Sequence, residues 1–392
     1  MFHVKYIFVK RFLLLIFFLS IVGIQNFSFA EESNEKTIKF NRIDNYEILS
    51  ISQPGSLFYS VTNGIIKSAL NLNSNLTFIG RANVGLEKVV DKNNVEILTT
   101  RKDYLYSLSI KTIHNDVSDL FYSKEVSESL INNEIIISDL TANLYSLTKG
   151  DSMFLIGLNQ QEVEVVVGEI IPDSEIGWFE GVVNKDLGYK LGINRNIQAI
   201  IWGNKITENH LIEIHKNIKY KKIRLTGRDS TPNRNWVLPT ALVKEMFGDF
   251  QIKERDGTWI TIDRAWKDEN IETKNVPILG RITCHRLMWE PLLGAFNQII
   301  EENLQSGLSR EQFKEAGGCY APRRINRFDS GGSISRHAWG IAIDINTKTG
   351  YKPRIVEIFN DWGFAWGGTW TSPDAMHFEL RSLSASISQA NK

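Results

Sequence analysis

Ser335-Arg-His337-Ala-Trp-Gly340-Ile-Ala-Ile-Asp344 is answered further along the chain by Asp374-Ala-Met-His377-Phe-Glu379. His337, Asp344 and His377 are the ligand types of a catalytic zinc site, which takes three protein ligands and keeps a fourth position for water. Asp374, just upstream of the second histidine, is a candidate to accept that water's proton. A site of this kind makes the chain a zinc hydrolase and leaves its substrate to be found.

The separation of His337 and Asp344 is odd, so a continuous strand would put them on opposite faces. Gly340 removes the conflict by allowing Ala338-Trp339-Gly340 to turn before the strand begins. Ile341, Ile343 and Ile345 then point into the core, and Ala342 and Asp344 face the other way. His377 and Glu379 likewise share one face, with Phe378 and Leu380 on the other. Two neighbouring strands, about 5 Å apart, then present Asp344 and His377 to one ion, with Asp374 on the preceding turn. Singly, each is an ordinary polar residue of a half-buried sheet. Jointly, beside glycine turns, they predict a metal site.

Upstream, Leu238-Pro239 opens a helix that runs towards Phe247 and stops at Gly248. Trp259–Asp263 and Pro277–Cys284 read as strands. Pro291 marks a helix start, and Leu292, Leu293, Phe296, Ile299, Ile300 and Leu304 follow at helical spacing to Gly307. Strands and helices alternate without a regular βαβ repeat, which predicts an α+β fold with an antiparallel sheet.

The ordered motifs Ser335-x-His337-x-x-Gly340-x-Ala342-x-Asp344, Trp366-Gly-Gly and Asp374-x-x-His377-Phe-Glu379 resemble the VanY-type D-alanyl-D-alanine carboxypeptidases. The related L-alanyl-D-glutamate endopeptidases share them. These are zinc peptidases of the Hedgehog/DD-peptidase fold. The resemblance covers roughly residues 235 to 385, takes in Gly317-Gly-Cys-Tyr320-Ala-Pro-Arg323, and leaves out everything upstream. It implies that His337, Asp344 and His377 bind Zn2+. It also implies that Asp374 is the catalytic acid/base, where many members carry glutamate, as the dipeptidase branch does; Glu379, which shares the face of His377, is the alternative base. Arg323 matches the arginine that steadies the substrate carbonyl, with Arg324 as its neighbour and rival. Ser335 and Glu379 take supporting places beside the ligands, Glu379 orienting one of them. The implied substrate is a peptidoglycan stem peptide, cut at a terminal D-alanine or between L-alanine and D-glutamate.

The chain has 392 residues, more than one average domain. Residues 1–30 read as a signal peptide: Lys5, Lys10 and Arg11, an apolar run from Phe12 to Ile24, then Ser28-Phe-Ala30. That run is short for a membrane span, so the mature chain is expected outside the cytoplasm, in the cell wall or periplasm, without a stable span. Residues 31–227 are expected to form a mainly β domain, with strands at Leu76–Ile79, Asn133–Ser138, Glu162–Gly168 and Ile197–Trp202. Within it, Asp139–Gly150 and Asp186–Asn194 share a rhythm that hints at a duplicated helix–turn–strand unit. His210 and His215 share no helix face and read as solvated. Residues 228–236 have linker composition, and 237–392 form the zinc peptidase domain.

Net charge is zero, where a nucleic-acid-binding protein should be clearly basic. Cys284 and Cys319 are the only cysteines, and an even pair in an exported protein predicts a disulfide. Two other readings compete. Ser146-Leu-Thr-Lys149 and Lys348-Thr-Gly350 echo serine D,D-peptidases, but the third element of that signature is missing, and Lys348–Gly350 reads as the turn closing the Asp344 strand. A non-catalytic wall-binding module with a structural zinc is the second; the presence of all ligands, the acid and the arginine argues against it.

Overall fold

The computed structural model describes residues 48–383, apart from 54–55, 178, 204–205, 219–222, 228–236, 256–257, 317, 326–331, 349 and 371–372. The expected signal peptide and the expected linker at 228–236 lie outside the described residues. All described residues belong to one compact unit. Within it, two lobes carry separate apolar cores, one drawn from residues 82–193 and one from residues 243–380.

The first lobe is built on ten strands: β1 (Ile48–Ser52), β2 (Asn75–Val90), β3 (Glu96–Thr99), β4 (Tyr106–Ile113), β5 (Ile135–Ser138), β6 (Ser152–Ile156), β7 (Glu162–Ile171), β8 (Gly181–Asn184), β9 (Asn196–Trp202) and β10 (Arg224–Gly227). Each β-branched run read as a strand is one. β2 pairs with β4, β4 with β8, β8 with β5, β5 with β7, β7 with β6, and β6 back with β2. The six strands therefore close into a barrel without a free edge, filled by Val84, Leu86, Leu108, Ile110, Ile135 and Ile137 among others. The first half of β2 leaves the barrel to pair with β9, and β1 and β10 extend that side sheet.

Seven helices are described among these strands, so the lobe is mixed α and β, with more helix than its β-branched runs predict. The reason is local. Ser123, Ser138 and Asn184, which look like loop punctuation, are N-caps whose side chains accept from backbone N–H groups of the first turn. The two segments with a shared rhythm adopt a similar local pattern. Ser138 ends β5 and caps helix Asp139–Tyr145, while Asn184 ends β8 and caps helix Lys185–Lys190. Both helices close on the same contact, Leu147 N–H to the Ala142 carbonyl (2.9 Å) and Ile193 N–H to the Gly188 carbonyl (2.8 Å).

The second lobe holds three small antiparallel sheets: β11 (Ile252–Glu254) with β12 (Ile260–Ile262), β13 (Ile271–Val276) with β14 (Gly280–His285), and β17 (His377–Leu380) flanked by β15 (Ala342–Asp344) and β16 (Phe364–Trp366). Helices Thr240–Phe247, Trp289–Glu301 and Pro353–Asp361 pack against them. Gly248 ends the first helix, and Pro291 lies in the first turn of the second, where its missing N–H leaves no helical bond unmade. Leu292, Phe296 and Ile299 of that helix meet Ile355, Ile358 and Phe359 of the third in the core.

Cys284 on β14 and Cys319 form a disulfide with Cα atoms 5.4 Å apart, inside the range such bonds require. Cross-linking two residues 35 apart contributes about 3–4 kcal/mol by restricting the unfolded chain. Replacing both cysteines with serine should cost about that much in denaturant unfolding; an unchanged midpoint would show that the cross-link adds nothing.

The lobes meet through buried charge. Lys244, 1 % exposed, lies 2.7 Å from Glu180 and 3.4 Å from Asp249 and donates to the Ser107 carbonyl at 2.6 Å. Tyr145 of the barrel lobe donates to Asp249. A backbone bridge between Leu105 and Ile252 runs beside this cluster.

Candidate metal centre

Ser335 ends an extended segment and its Oγ accepts from the His337 N–H at 3.3 Å, capping the short helix Arg336–Trp339. That helix stops at Gly340, whose φ of +70° is left-handed. A Cβ at Gly340 would stand 2.7 Å from the His285 backbone nitrogen, so glycine is required there for space as well. The turn expected at Gly340 is therefore real, and it frees His337 from the parity of the following strand. Ile341, Ile343 and Ile345 are fully buried in the core, as the alternation predicts. β15 and β17 pair antiparallel with Asp344 opposite His377 and Ala342 opposite Glu379. Directly opposed residues point to the same face, so the register delivers both ligands together.

His337, Asp344 and His377 are all buried and form the one group of metal-ligand type found among the described residues. His337 Nε2 lies 3.2 Å from Asp344 Oδ1, His377 Nδ1 lies 2.9 Å from the same oxygen, and the two nitrogens are 3.3 Å apart. A tetrahedral zinc with bonds of about 2.0–2.1 Å needs its ligand atoms about 3.3–3.4 Å from one another. The triangle is that size within a few tenths of an ångström, and the donor set of two imidazoles and a carboxylate suits zinc.

The remaining ring nitrogens are held by second partners. His337 Nδ1 is 2.9 Å from the Cys319 carbonyl, and His377 Nε2 is 3.2 Å from Glu379 Oε2. These contacts fix each ring and leave Nε2 of His337 and Nδ1 of His377 as the atoms that would face an ion. The disulfide thus anchors the carbonyl that orients His337. Glu379 is 5 % exposed and committed to His377. Asp374 is half-buried on the turn that leads into β17, with its backbone bonded to Gly367 (2.9 Å) and to His377 (3.2 Å). A Cβ on Gly367 would stand 2.6 Å from the Asp374 carbonyl oxygen, so the Trp366-Gly-Gly motif makes room for this turn. The Trp370 ring lies 5.2 Å from the His377 ring.

The two arginines have different surroundings. Arg324 is 9 % exposed, and its guanidinium binds Glu254 (3.1 Å from Nε) and the Gly332 carbonyl. Arg323 is half-buried and shows no side-chain hydrogen bond or ion pair to another described residue.

Burial opposes charge on both Asp344 and His377. The two histidines nevertheless hold the Asp344 carboxyl far below its ordinary range. For His377, desolvation acts to lower the pKa, but Asp344 and Glu379 win and raise it to about 9. The metal-free site therefore keeps a proton on His377 at neutral pH.

Some contributors had no sequence signal. The Cys319 carbonyl is a backbone group, and every residue has one. Tyr351, whose hydroxyl donates to the Ile345 and Met376 carbonyls at the foot of β15 and β17, passes in sequence for an ordinary aromatic. His210 and His215 lie apart from the site and are half-buried rather than solvated. The helix is short and packs against its neighbours, and His210 Nδ1 closes a capping contact with Thr207. Ser146 is an exposed helix cap in left-handed conformation, and Lys149 pairs with Glu169, so no serine–lysine couple forms there. No described helix is long and apolar enough to cross a membrane.

A search of curated proteins finds no match for the chain. Residues 329–380, the stretch that carries His337, Asp344, Asp374, His377 and Glu379, match the family model described as D-alanyl-D-alanine carboxypeptidase, the family whose ordered motifs the C-terminal region resembles.

Proposed function

We propose that this protein is an exported zinc peptidase that hydrolyses peptide bonds in peptidoglycan stem peptides. The observation that carries the reading is the buried His337–Asp344–His377 triangle, of zinc dimensions, inside the family-matched segment. The signal-like residues 1–30 support export, and the catalytic machinery falls wholly within 237–392. The architecture of small antiparallel sheets around the ligands accords with the Hedgehog/DD-peptidase fold.

His337, Asp344 and His377 hold the ion. Zinc held there would supply a Lewis acid that makes hydroxide available near neutral pH. Asp374, half-exposed beside His377, accepts the proton of the attacking water and passes it to the leaving amine. Glu379 is the weaker candidate for that task, because it is buried and already bonded to His377. Arg323, with its guanidinium uncommitted, stabilises negative charge developing on the substrate carbonyl, a role for which Arg324 is already engaged. Glu379 and the Cys319 carbonyl keep the imidazoles in register.

Mass spectrometry of peptidoglycan digested by the purified protein tests the reading. Released D-alanine marks carboxypeptidase action, and whole released peptides mark cleavage between L-alanine and D-glutamate. Activity should vanish with a chelator and ignore a β-lactam; no product under zinc-replete conditions would refute the proposal. His337→Ala should lose the metal, and a full zinc content by elemental analysis would count against the ligand assignment.

Zinc uptake should also release a proton. A ligating imidazole must be neutral, and His377 with a pKa of about 9 is protonated at pH 7. Its proton is expelled on binding, so affinity should rise with pH and level off above about 9. Titration calorimetry in buffers of different ionisation enthalpy should show at least one proton released per zinc at pH 7, since ionisation of a water on the metal would add to the His377 proton; identical heats in all buffers would contradict it. In the metal-free protein the raised pKa adds stability that is full below the ordinary histidine value and is lost as pH climbs through about 9.

A further inference from the structure

A row of side chains leads from solvent to the helix that carries His337. Trp259 bridges Arg323 in antiparallel fashion, and Arg324 bridges Ile334. The Ile260 N–H donates to the Pro322 carbonyl (3.1 Å) and the Arg324 N–H to the Thr258 carbonyl (2.8 Å). Those bonds flank the Trp259–Arg323 pair rather than joining it. Such a pair has the closer Cα spacing, about 4.5 Å, with both side chains on one face. On the far side, Ser335 N–H donates to the Arg323 carbonyl (3.0 Å) and Ile325 N–H to the Ser333 carbonyl (2.8 Å), which places Ser335 opposite Arg323.

The two faces of this three-stranded patch differ. Ile260, Arg324 and Ile334 form the inner face and are 1 %, 9 % and 5 % exposed. Trp259, Arg323 and Ser335 form the other, and exposure along it falls from 48 % at Trp259, through half-buried Arg323, to 4 % at Ser335. Ser335 caps the helix of His337. A large aromatic left half in water beside an uncommitted guanidinium is not explained by core packing.

We propose that Trp259 is a substrate-positioning residue. Its indole forms the outer wall of the cleft and packs on the apolar flank of a short peptide, such as an alanine methyl, while Arg323 meets the adjacent carbonyl. This rests on the peptidase reading and adds a specificity contact to the same site. The indole packs on an apolar group that does not change in the reaction, so it binds ground state and transition state alike and should appear in KM and not in kcat.

The test uses zinc-loaded full-length protein and a synthetic stem pentapeptide. Trp259→Ala should raise KM about tenfold and leave kcat within about twofold, and Trp259→Phe should recover most of the loss. An unchanged KM, or a fall in kcat alone, overturns the proposal. A parallel titration separates the two readings: pentapeptide binding to Asp374→Ala is compared with binding to Asp374→Ala/Trp259→Ala. If wild type cuts nothing but the double variant binds about tenfold more weakly, the peptidase reading falls and the Trp259 contact stands. Equal affinity of the two variants, or no binding by either, overturns the contact whatever the activity.

Discussion

Asp374→Ala is expected to keep one zinc per chain and to lose turnover by about 10²–10⁴-fold, the usual contribution of a positioned acid/base. The two effects separate because of where the carboxylate stands. Asp374 lies on the turn before His377 and is not one of the three clustered ligands. Its backbone, not its carboxylate, fixes the turn through Gly367 and His377, so alanine should leave the ligand geometry intact. Glu379→Gln should behave differently. Glu379 holds His377 Nε2, and loss of its charge should act through metal affinity, by about 10–100-fold. Elemental analysis and steady-state kinetics on both variants decide the assignment. Comparable turnover in Asp374→Ala would remove this residue as the base, and collapse of Glu379→Gln at saturating zinc would point to Glu379 instead.

Lys244→Ala should destabilise the protein by about 3–5 kcal/mol, the cost of leaving buried carboxylates without their counter-ion. Burial raises the pKa of both Glu180 and Asp249, and Lys244 is the main opposing influence on each. Burial likewise acts to lower Lys244, but Asp249 and Glu180 hold its ammonium charged. Without the lysine, both carboxyls prefer to be neutral. A carboxyl raised in the folded state binds more protons there than in the unfolded chain, so stability falls as pH rises through its pKa. The Lys244→Ala penalty should therefore shrink at acid pH and be largest at alkaline pH. Urea unfolding across that range measures it, and a pH-independent loss below 1 kcal/mol would show that the cluster contributes little. Because Glu180 and Lys244 come from different lobes, the same variant also reports how strongly the barrel supports the second lobe.

The candidate metal ligands were legible because they sit in short motifs whose meaning is local. The alternation of Ile341, Ile343 and Ile345, the break at Gly340 and the shared parity of His377 and Glu379 are enough to place side chains on faces. The register of β15 on β17 then had to follow, since a slip of one residue would turn the buried isoleucines outward. The resemblance pointed to Arg323, but the different surroundings of Arg323 and Arg324 were not legible: adjacent residues point to opposite faces, and the Glu254 beside Arg324 comes from a distant segment.

The first lobe divides in the same way. Its strands could be read from β-branched runs, but its caps and its closure could not. Ser138 and Asn184 resemble any turn residue until the following helix is seen. Closure depends on β2 meeting β6 as well as β4, pairings that join residues far apart in the chain.

Residue types and spacing along the chain were enough to pick out a candidate set of metal ligands, an acid near them, and two cysteines able to pair. Tertiary structure alone decided what surrounds that chemistry. It placed the Cys319 carbonyl on His337, committed Arg324 and left Arg323 open, brought Trp259 beside it, and buried Lys244 between the lobes. The physical reason is range. Side-chain type and strand parity act over a few residues and are written in order along the chain. Backbone carbonyls, ion-pair partners and cross-strand neighbours acquire their roles only when distant segments pack together.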